Sequence, residues 1–340
     1  MRRLIFICLA MLLLQTGLVV LTHWQRPATD AQAGKGPLLK LAVAEIDEML
    51  LEDGEGHKLV LKKEQENWLL PDAGSFPADT GRVQGLIDRL VTAQRGWPEA
   101  TTAEAASRFK VAADRFERKL SLRKAGNTVA TVFFGGSPGL RKTYLRVDGD
   151  PEIQTIGIAQ HELEVKVDNW IDTNVLRLKP EQIARIHLPG LVLERTQDGL
   201  QPVGLSPEEE VVKDRRDALV KRLTGLTITA ILGAENKPEY GLDHPSLRYS
   251  VVLEGGNTVE YVFGSPPKPQ TGKDDAAAQP VVEQSFVLKV SNQKQVFRVD
   301  GWQVEEIRNA TRAALVRAKK IEAPVGDQPP LAPSPDGQSQ

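Results

Sequence analysis

FERKLSLRKAGNTVATVF, from Phe116 to Phe133, alternates apolar and polar positions on both sides of Ala125-Gly126-Asn127, and the pattern returns as LRYSVVLEGGNTVEYVF from Leu247 to Phe263. Alternation interrupted by a Gly-Asn pair specifies a β-hairpin. The Asn-Thr-Val triplet at Asn127 recurs at Asn257, 130 positions on. Upstream, Leu59-Val60-Leu61 answers Leu191-Val192-Leu193 at a shift of 132, and Leu86-Ile87-Asp88-Arg89-Leu90 answers Leu219-Val220-Lys221-Arg222-Leu223 at a shift of 133. The expectation is one ancestral unit copied in tandem, with repeats over 38–178 and 179–320.

Each copy changes period in the same order. The first opens with Ile46 to Leu51, turns at Asp53-Gly54-Glu55-Gly56 and returns through Leu59 and Leu61, which predicts a hairpin, with Trp68-Leu69-Leu70 as a third strand. Val83, Leu86, Ile87 and Leu90 then fall at helical spacing, so one stripe packs on the sheet. Thr101 with Glu104 predicts a capped second helix, and Tyr144 to Val147 another strand. The second copy predicts strands at Ile183 to Leu188, Leu191 to Leu193, Leu200 to Val203, Tyr249 to Leu253, Val259 to Phe263 and Phe286 to Val290. A helix through Val212, Leu219, Val220 and Leu223 would start at Ser206-Pro207-Glu208-Glu209, with Ser206 as its N-cap. A last helix is expected over Val304 to Ala318. The fold class that follows is α+β, an antiparallel sheet with helices in each repeat.

Leu4 to Leu21 form an uncharged run of 18 residues. Extended to Trp24, it would make about 31 Å of helix at ~1.5 Å per residue, against a hydrocarbon core of roughly 30 Å. Arg2 and Arg3 ahead of the run favour a cytoplasmic N-terminus. The expected placement is a single-pass protein of a bacterial inner membrane with its body in the periplasm: anchor 1–26, tether 27–37 and a proline-rich tail 321–340. Pro266 to Pro280 is a further loose segment. A cleaved signal peptide ending near Ala31-Gln32-Ala33 is the alternative, and an inverted topology, with Arg26, Lys35 and Lys40 past the run, is another.

Setting aside Arg2, Arg3 and Arg26 leaves 40 basic against 45 acidic side chains, a balance without the basic excess that nucleic-acid phosphates require. No nucleic-acid partner is expected. The sole cysteine, Cys8, lies in the apolar run, so the body has no disulfide and no thiolate metal site.

His23, His57, His161, His187 and His244 show no paired metal-site spacing, and Gly135-Gly136-Ser137 and Gly264-Ser265 match neither a phosphate loop nor a nucleophile elbow. Glu208-Glu209-Glu210 suits a helix N-terminus. Lys213, Arg215, Arg216, Lys221 and Arg222 suggest a solvated helix face paired with acids on the same helix. Arg141-Lys142 beside Arg146 form a basic group within reach of phosphate or anionic lipid. No catalytic, cofactor-binding or metal residue is assigned, and no cofactor is expected.

Tyr240-Gly241-Leu242-Asp243-His244-Pro245, Phe76-Pro77-Ala78-Asp79, and Trp170-Ile171-Asp172 leading to Leu178 are the stretches in which the chain resembles the bacterial domain-of-unknown-function family 4340, over about Leu38 to Ala318. The resemblance implies an anchored envelope protein, often associated with ABC transporters of the gliding type, with no established enzymatic activity. The first copy has Phe109-Lys110-Val111-Ala112-Ala113-Asp114 where the second has the Tyr-Gly-Leu-Asp turn, so the motif residues are expected to be structural. The resulting expectation is a non-enzymatic binding or scaffolding protein, accessory to a membrane transport complex and held in the bilayer through Leu4 to Trp24. The alternatives are an envelope hydrolase or carbohydrate-modifying enzyme, and a carrier of a hydrophobic ligand.

Overall fold

The computed structural model of the chain describes residues 36–264 and 285–319, with Met11 and Gln15. Those two residues aside, the expected span Leu4 to Trp24 lies outside the described residues, as do Pro266 to Pro280, the tail 321–340 and the tether up to Lys35. No helix among the described residues is long and apolar enough to cross a membrane. The chain divides into two compact units, Met1–Val175 and Leu176–Gln340. Antiparallel sheets combined with helices make the fold α+β.

In chain order the first unit contains β1 (Glu48–Asp53), β2 (Lys58–Glu64), β3 (Asn67–Leu70), β4 (Phe76–Pro77), α1 (Thr80–Thr92), α2 (Ala103–Phe109), β5 (Val111–Ala112), β6 (Arg115–Phe116), β7 (Arg118–Lys124), β8 (Asn127–Phe134), β9 (Thr143–Val147) and β10 (Ile153–Ile156). Eight of these strands form one sheet in the order β10-β9-β8-β7-β1-β2-β3-β4. Register follows from alternation: Leu59, Leu51, Leu120 and Val132 stand opposite one another across four strands, and so do Leu61, Met49 and Leu122. All seven are at most 2% exposed. Each such side chain contributes about 1.5–3 kcal/mol of burial.

The helical stripe of Val83, Leu86, Ile87 and Leu90 is buried, and α1 lies beside β3. Between Val132 and Phe134, Phe133 points to the other face of β8, where it packs with Ala105, Ala106, Val111 and Ile153. Thus β8 is covered on both sides, which explains its unbroken apolar run at 132–134. The N-cap of α2 is Thr102 rather than Thr101: its hydroxyl accepts from the Ala105 amide at 3.2 Å, which makes Glu104 the second helical residue.

The second unit contains β11 (Ile183–Leu188), β12 (Leu191–Thr196), β13 (Gly199–Pro202), β14 (Glu209–Val211), α3 (Lys213–Thr224), β15 (Ala230–Gly233), β16 (Leu247–Leu253), β17 (Thr258–Gly264), β18 (Ser285–Val290), β19 (Val296–Asp300), α4 (Gly301–Arg308), α5 (Arg312–Leu315) and β20 (Val316–Ala318). Its eight-stranded sheet runs β13-β12-β11-β16-β17-β18-β19-β15. Leu193, Ile186, Val251 and Val259 are aligned across the sheet, as are Tyr249, Tyr261 and Val290.

Two sequence expectations fail here for one reason. Ser206 does not cap a helix. The turn it begins is real, since the Ser206 amide donates to the Glu209 carboxylate at 3.0 Å, but Glu209–Val211 then runs as β14 and α3 starts only after Val212. Nor does a helix continue from Val304 to Ala318. It ends at Arg308, and after the short α5 the chain becomes β20, which pairs with β14 in the register Val211↔Val316 and Glu209↔Ala318. Pairing between segments about a hundred residues apart overrides local helix signals in both.

Candidate functional site

The motif stretches are joined by backbone contacts. Phe76-Pro77-Ala78-Asp79 lies beside Trp170-Ile171-Asp172: the Asp79 amide donates to the Trp170 carbonyl at 2.7 Å and the Asp172 amide to the Pro77 carbonyl at 2.9 Å. The Ala78 amide reaches the Trp68 carbonyl at 2.8 Å, and the Asp79 carboxylate caps α1 by accepting from the Arg82 amide. Trp68 and Trp170 are completely enclosed, and the Trp170 indole donates to the Glu164 carbonyl. In the second unit Gly241 is left-handed at φ 61°, while Tyr240 and Leu242 pack with Val287 and Val296. The Tyr240 hydroxyl donates to the Leu232 carbonyl. Asp243 and His244 are exposed. These residues hold strands and turns in place and do not converge on a cavity.

A groove of about 810 Å³ lies in the second unit, bounded by α3, α4, α5 and residues 177–180. Leu219 and Leu315 form a buried apolar floor, flanked by Ala218, Ala310 and Ala314. Arg177, Arg215, Lys221 and Arg222 stand around it, and Glu306 is the sole carboxylate of its lining. Glu306 pairs with Arg222, whose guanidinium also lies 4.1 Å from the ring centre of the exposed Trp302. Arg215 donates to the Ala314 carbonyl at 3.1 Å. The side chains of Arg177 and Lys221 have no hydrogen-bond or ion-pair partner among the described residues. Lys213, Arg215 and Lys221 are exposed, as a solvated helix face requires, but the expected pairing with acids three or four residues away on the same helix needs correcting. Arg215 and Arg222 bond across to other elements, and Arg216 turns inward, 8% exposed, toward the Asp198 carbonyl and Asp217.

A second hollow, about 560 Å³, lies at the β1–β2 turn of the first unit. One Asp53 oxygen accepts from the amides of Glu55 and His57, both at 2.9 Å, and the other from His57 Nδ1 at 2.8 Å. The Asp53 hydrogen bond, with the attraction of its charge, raises the His57 pKa above its ordinary value. Partial desolvation works against ionised Asp53, but the hydrogen bonds from His57 and Glu55 outweigh it and the pKa falls. Ligand atoms of Asp53, Glu55 and His57 lie within 4.8 Å of one another, a grouping that a search for paired histidines misses. Both Asp53 oxygens are already engaged, however, and Lys58, Arg118 and Lys166 line the same hollow. The lining carries no hydroxyl or thiol for a His–Asp pair to activate. The geometry is that of a locked turn.

Of the remaining candidates only Arg141 and His161 come together, in the lining of one pocket of the first unit. His161, His187 and His244 are exposed on separate elements, and His23 lies outside the described residues. Gly135 and Gly264 end their strands pressed against other backbone segments. Glu209 and Glu210 of the acidic run pair with Arg312 and Arg317. Arg146 donates to the Val111 carbonyl and lies over Phe133, so it is not free to act with Arg141 and Lys142.

Searches of the curated proteins and of the solved structures return no match. A family model described as "Domain of unknown function (DUF4340)" matches residues 68–245, more than half of the chain, running from the enclosed Trp68 to Pro245 of the Tyr-Gly-Leu-Asp turn. The chain belongs to that family.

Proposed function

We propose that this protein is a membrane-tethered binding module of the bacterial envelope, accessory to a membrane transport complex, and that the groove of the second unit holds an acidic segment of its partner. One observation carries the reading: four cationic side chains surround an apolar floor with a single lining carboxylate, itself paired. An extended acidic segment with apolar side chains would meet Leu219 and Leu315 with the latter and Arg177 and Lys221 with its carboxylates, a match that gives both specificity and fast association. The open groove suits a segment of another protein better than a fully enclosed ligand. The anchor, Leu4 to Trp24, would deliver the body to the periplasmic side.

The test uses the full chain in its native membranes. Ala218→Cys, on the groove lining, in a Cys8→Ser background would carry a crosslinker, since Cys8 is the sole cysteine of the sequence. The expected result is a crosslink to a subunit of a membrane transport complex, lost when Arg177→Glu and Arg222→Glu reverse the rim charge. Crosslinks that survive charge reversal, or none to any envelope protein, would overturn the reading. A reporter fused after Gln340 tests the topology separately.

We also infer that the two units are copies of one ancestor. The strand orders support this: β3-β2-β1-β7-β8-β9-β10 in one and β13-β12-β11-β16-β17-β18-β19 in the other place equivalent hairpins in equivalent sequence. Left-handed Lys110 and Gly241 occupy the same point in each. Experimental coordinates of the units that could not be superposed strand for strand in that order would refute it.

A further inference from the structure

We infer that the first unit carries an oxyanion site, suited to a phosphate group, formed by Arg82 and Arg89 of α1 with Arg141 and His161. These side chains line one pocket of about 490 Å³ together with Gly157, Ala159 and Glu162. Three guanidinium groups face a single carboxylate, so two positive charges remain uncompensated in a small volume. Bringing like charges together costs free energy unless a counter-ion sits among them. A ligand with one or two negative charges removes that cost. With only Gly157 and Ala159 as small apolar lining, the pocket is not built for a bulky apolar ligand.

The fold has fixed two of the donors, Arg82 and Arg89, in advance. Arg82 is half-buried, its guanidinium centre 4.8 Å from the centre of the enclosed Trp170 ring, and its one side-chain hydrogen bond is a long one, 3.4 Å, to the His161 carbonyl. Stacking of this kind holds the planar fork in place and leaves its remaining N–H groups to a ligand. Arg89 is held by the Gly85 carbonyl and by Glu162 at 2.6 Å, and the Glu162 carboxylate is further occupied by the Ala159 amide. Glu162 thus screens Arg89 and leaves Arg82 and Arg141 unmatched. Arg141 has a left-handed backbone, φ 56°, unusual for a side chain of its size, in a turn where Ser137 Oγ lies 2.6 Å from the Gly139 carbonyl and 2.7 Å from that of Lys142. Its guanidinium has no partner among the described residues. Guanidinium forks lining one pocket are the usual means of gripping phosphate oxygens.

Phosphate of this kind has two sources, an anionic lipid headgroup or a soluble phosphate. Leu140, 93% exposed next to Arg141, could rest on a lipid surface. The experiment uses the full chain in phosphatidylcholine nanodiscs, titrated calorimetrically with inorganic phosphate and with glycerophosphoglycerol, the deacylated headgroup of phosphatidylglycerol. Saturable binding of at least one probe is expected, weakened about tenfold by Arg141→Gln and by Arg82→Gln, and changed less than about twofold by Lys142→Gln, which alters a neighbouring charge outside the pocket. Tighter binding of the headgroup assigns the lipid source, tighter binding of inorganic phosphate the soluble one. Saturation by neither probe, or equal weakening by all three variants, would overturn the site. Arg141 is exposed, so its variant leaves the fold intact, with circular dichroism as the check.

Discussion

A Cβ atom added to Gly264 would stand 1.7 Å from the carbonyl oxygen of Tyr240, inside any permissible contact distance. In the first unit a Cβ on Gly135 would lie 1.9 Å from the carbonyl of Phe109. Each glycine ends a central strand where the crossing segment leaves a short helical turn, and the next residue on that segment, Gly241 or Lys110, is left-handed. Gly264→Ala and Gly135→Ala therefore press side chain against backbone and should each destabilise the protein by about 2–4 kcal/mol, read from denaturant midpoints. Lys110→Gly should do the opposite, by about 0.5–1 kcal/mol, because it removes a left-handed strain that Gly241 does not have.

Tyr249 and Tyr261 stack with ring centres 4.5 Å apart and planes 8° from parallel, and the Tyr249 hydroxyl is buried without a partner among the described residues. Tyr249→Phe removes an unsatisfied polar atom without changing the ring, so stability should stay equal or rise by about 1 kcal/mol. Desolvation pushes the Tyr261 pKa up to about 12 and that of Tyr249 well above its ordinary value. Unfolded tyrosines ionise near pH 10. Above that pH the folded state holds more protons than the unfolded one, and stability falls as pH rises. Tyr249→Phe should soften this alkaline loss in denaturation curves taken between pH 9 and 12.

At the β1–β2 turn, the raised His57 pKa means that the pair with Asp53 supports folding fully below the unfolded histidine value and loses that support as pH rises through the folded one. Asp53, with its lowered pKa, contributes above the ordinary carboxylate value and stops contributing as pH falls through its folded one. NMR titration should place His57 above the ordinary histidine value, and Asp53→Asn should bring it back toward that value. An unchanged His57 titration in that variant would show that the pair is not formed in solution.

Arg312 joins three segments by bonding the Val203 carbonyl at 3.0 Å, the Gly204 carbonyl at 2.9 Å and Glu209 at 2.6 Å. Its ion pair is partly exposed and screened, so most of its effect comes from the two carbonyl bonds. Arg312→Ala should cost about 1–2 kcal/mol and speed hydrogen exchange at Glu209 to Val211. Arg317→Ala, whose side chain is 67% exposed, should change stability by less than about 0.5 kcal/mol.

Much of the α+β fold was legible because its signals are local. Leu59 with Leu61, and Leu120 with Leu122, carry period two within one strand, and Val83, Leu86, Ile87 and Leu90 carry the helical period within one helix. The family, too, could be recognised from short stretches such as Phe76 to Asp79 and Tyr240 to Pro245. The site residues were legible only as charges. Arg215, Lys221 and Arg222 gave no sign that α4 and α5 would come alongside to make a groove, and nothing near Arg141 in the chain pointed to Arg82, Arg89 or His161.

By itself, then, the sequence determined the main hairpins of each sheet, the buried stripe of α1 and the faces these elements bury, whereas the need for glycine at Gly135 and Gly264 comes from backbone that the fold brings against them. Only the tertiary structure decided that Glu209–Val211 is a strand, that the last helix stops at Arg308, and which cations share a pocket. The physical reason is range. Side-chain periodicity acts between neighbours a few residues apart, whereas strand pairing and the convergence of charges depend on partners tens to a hundred residues away, whose arrival no local pattern records.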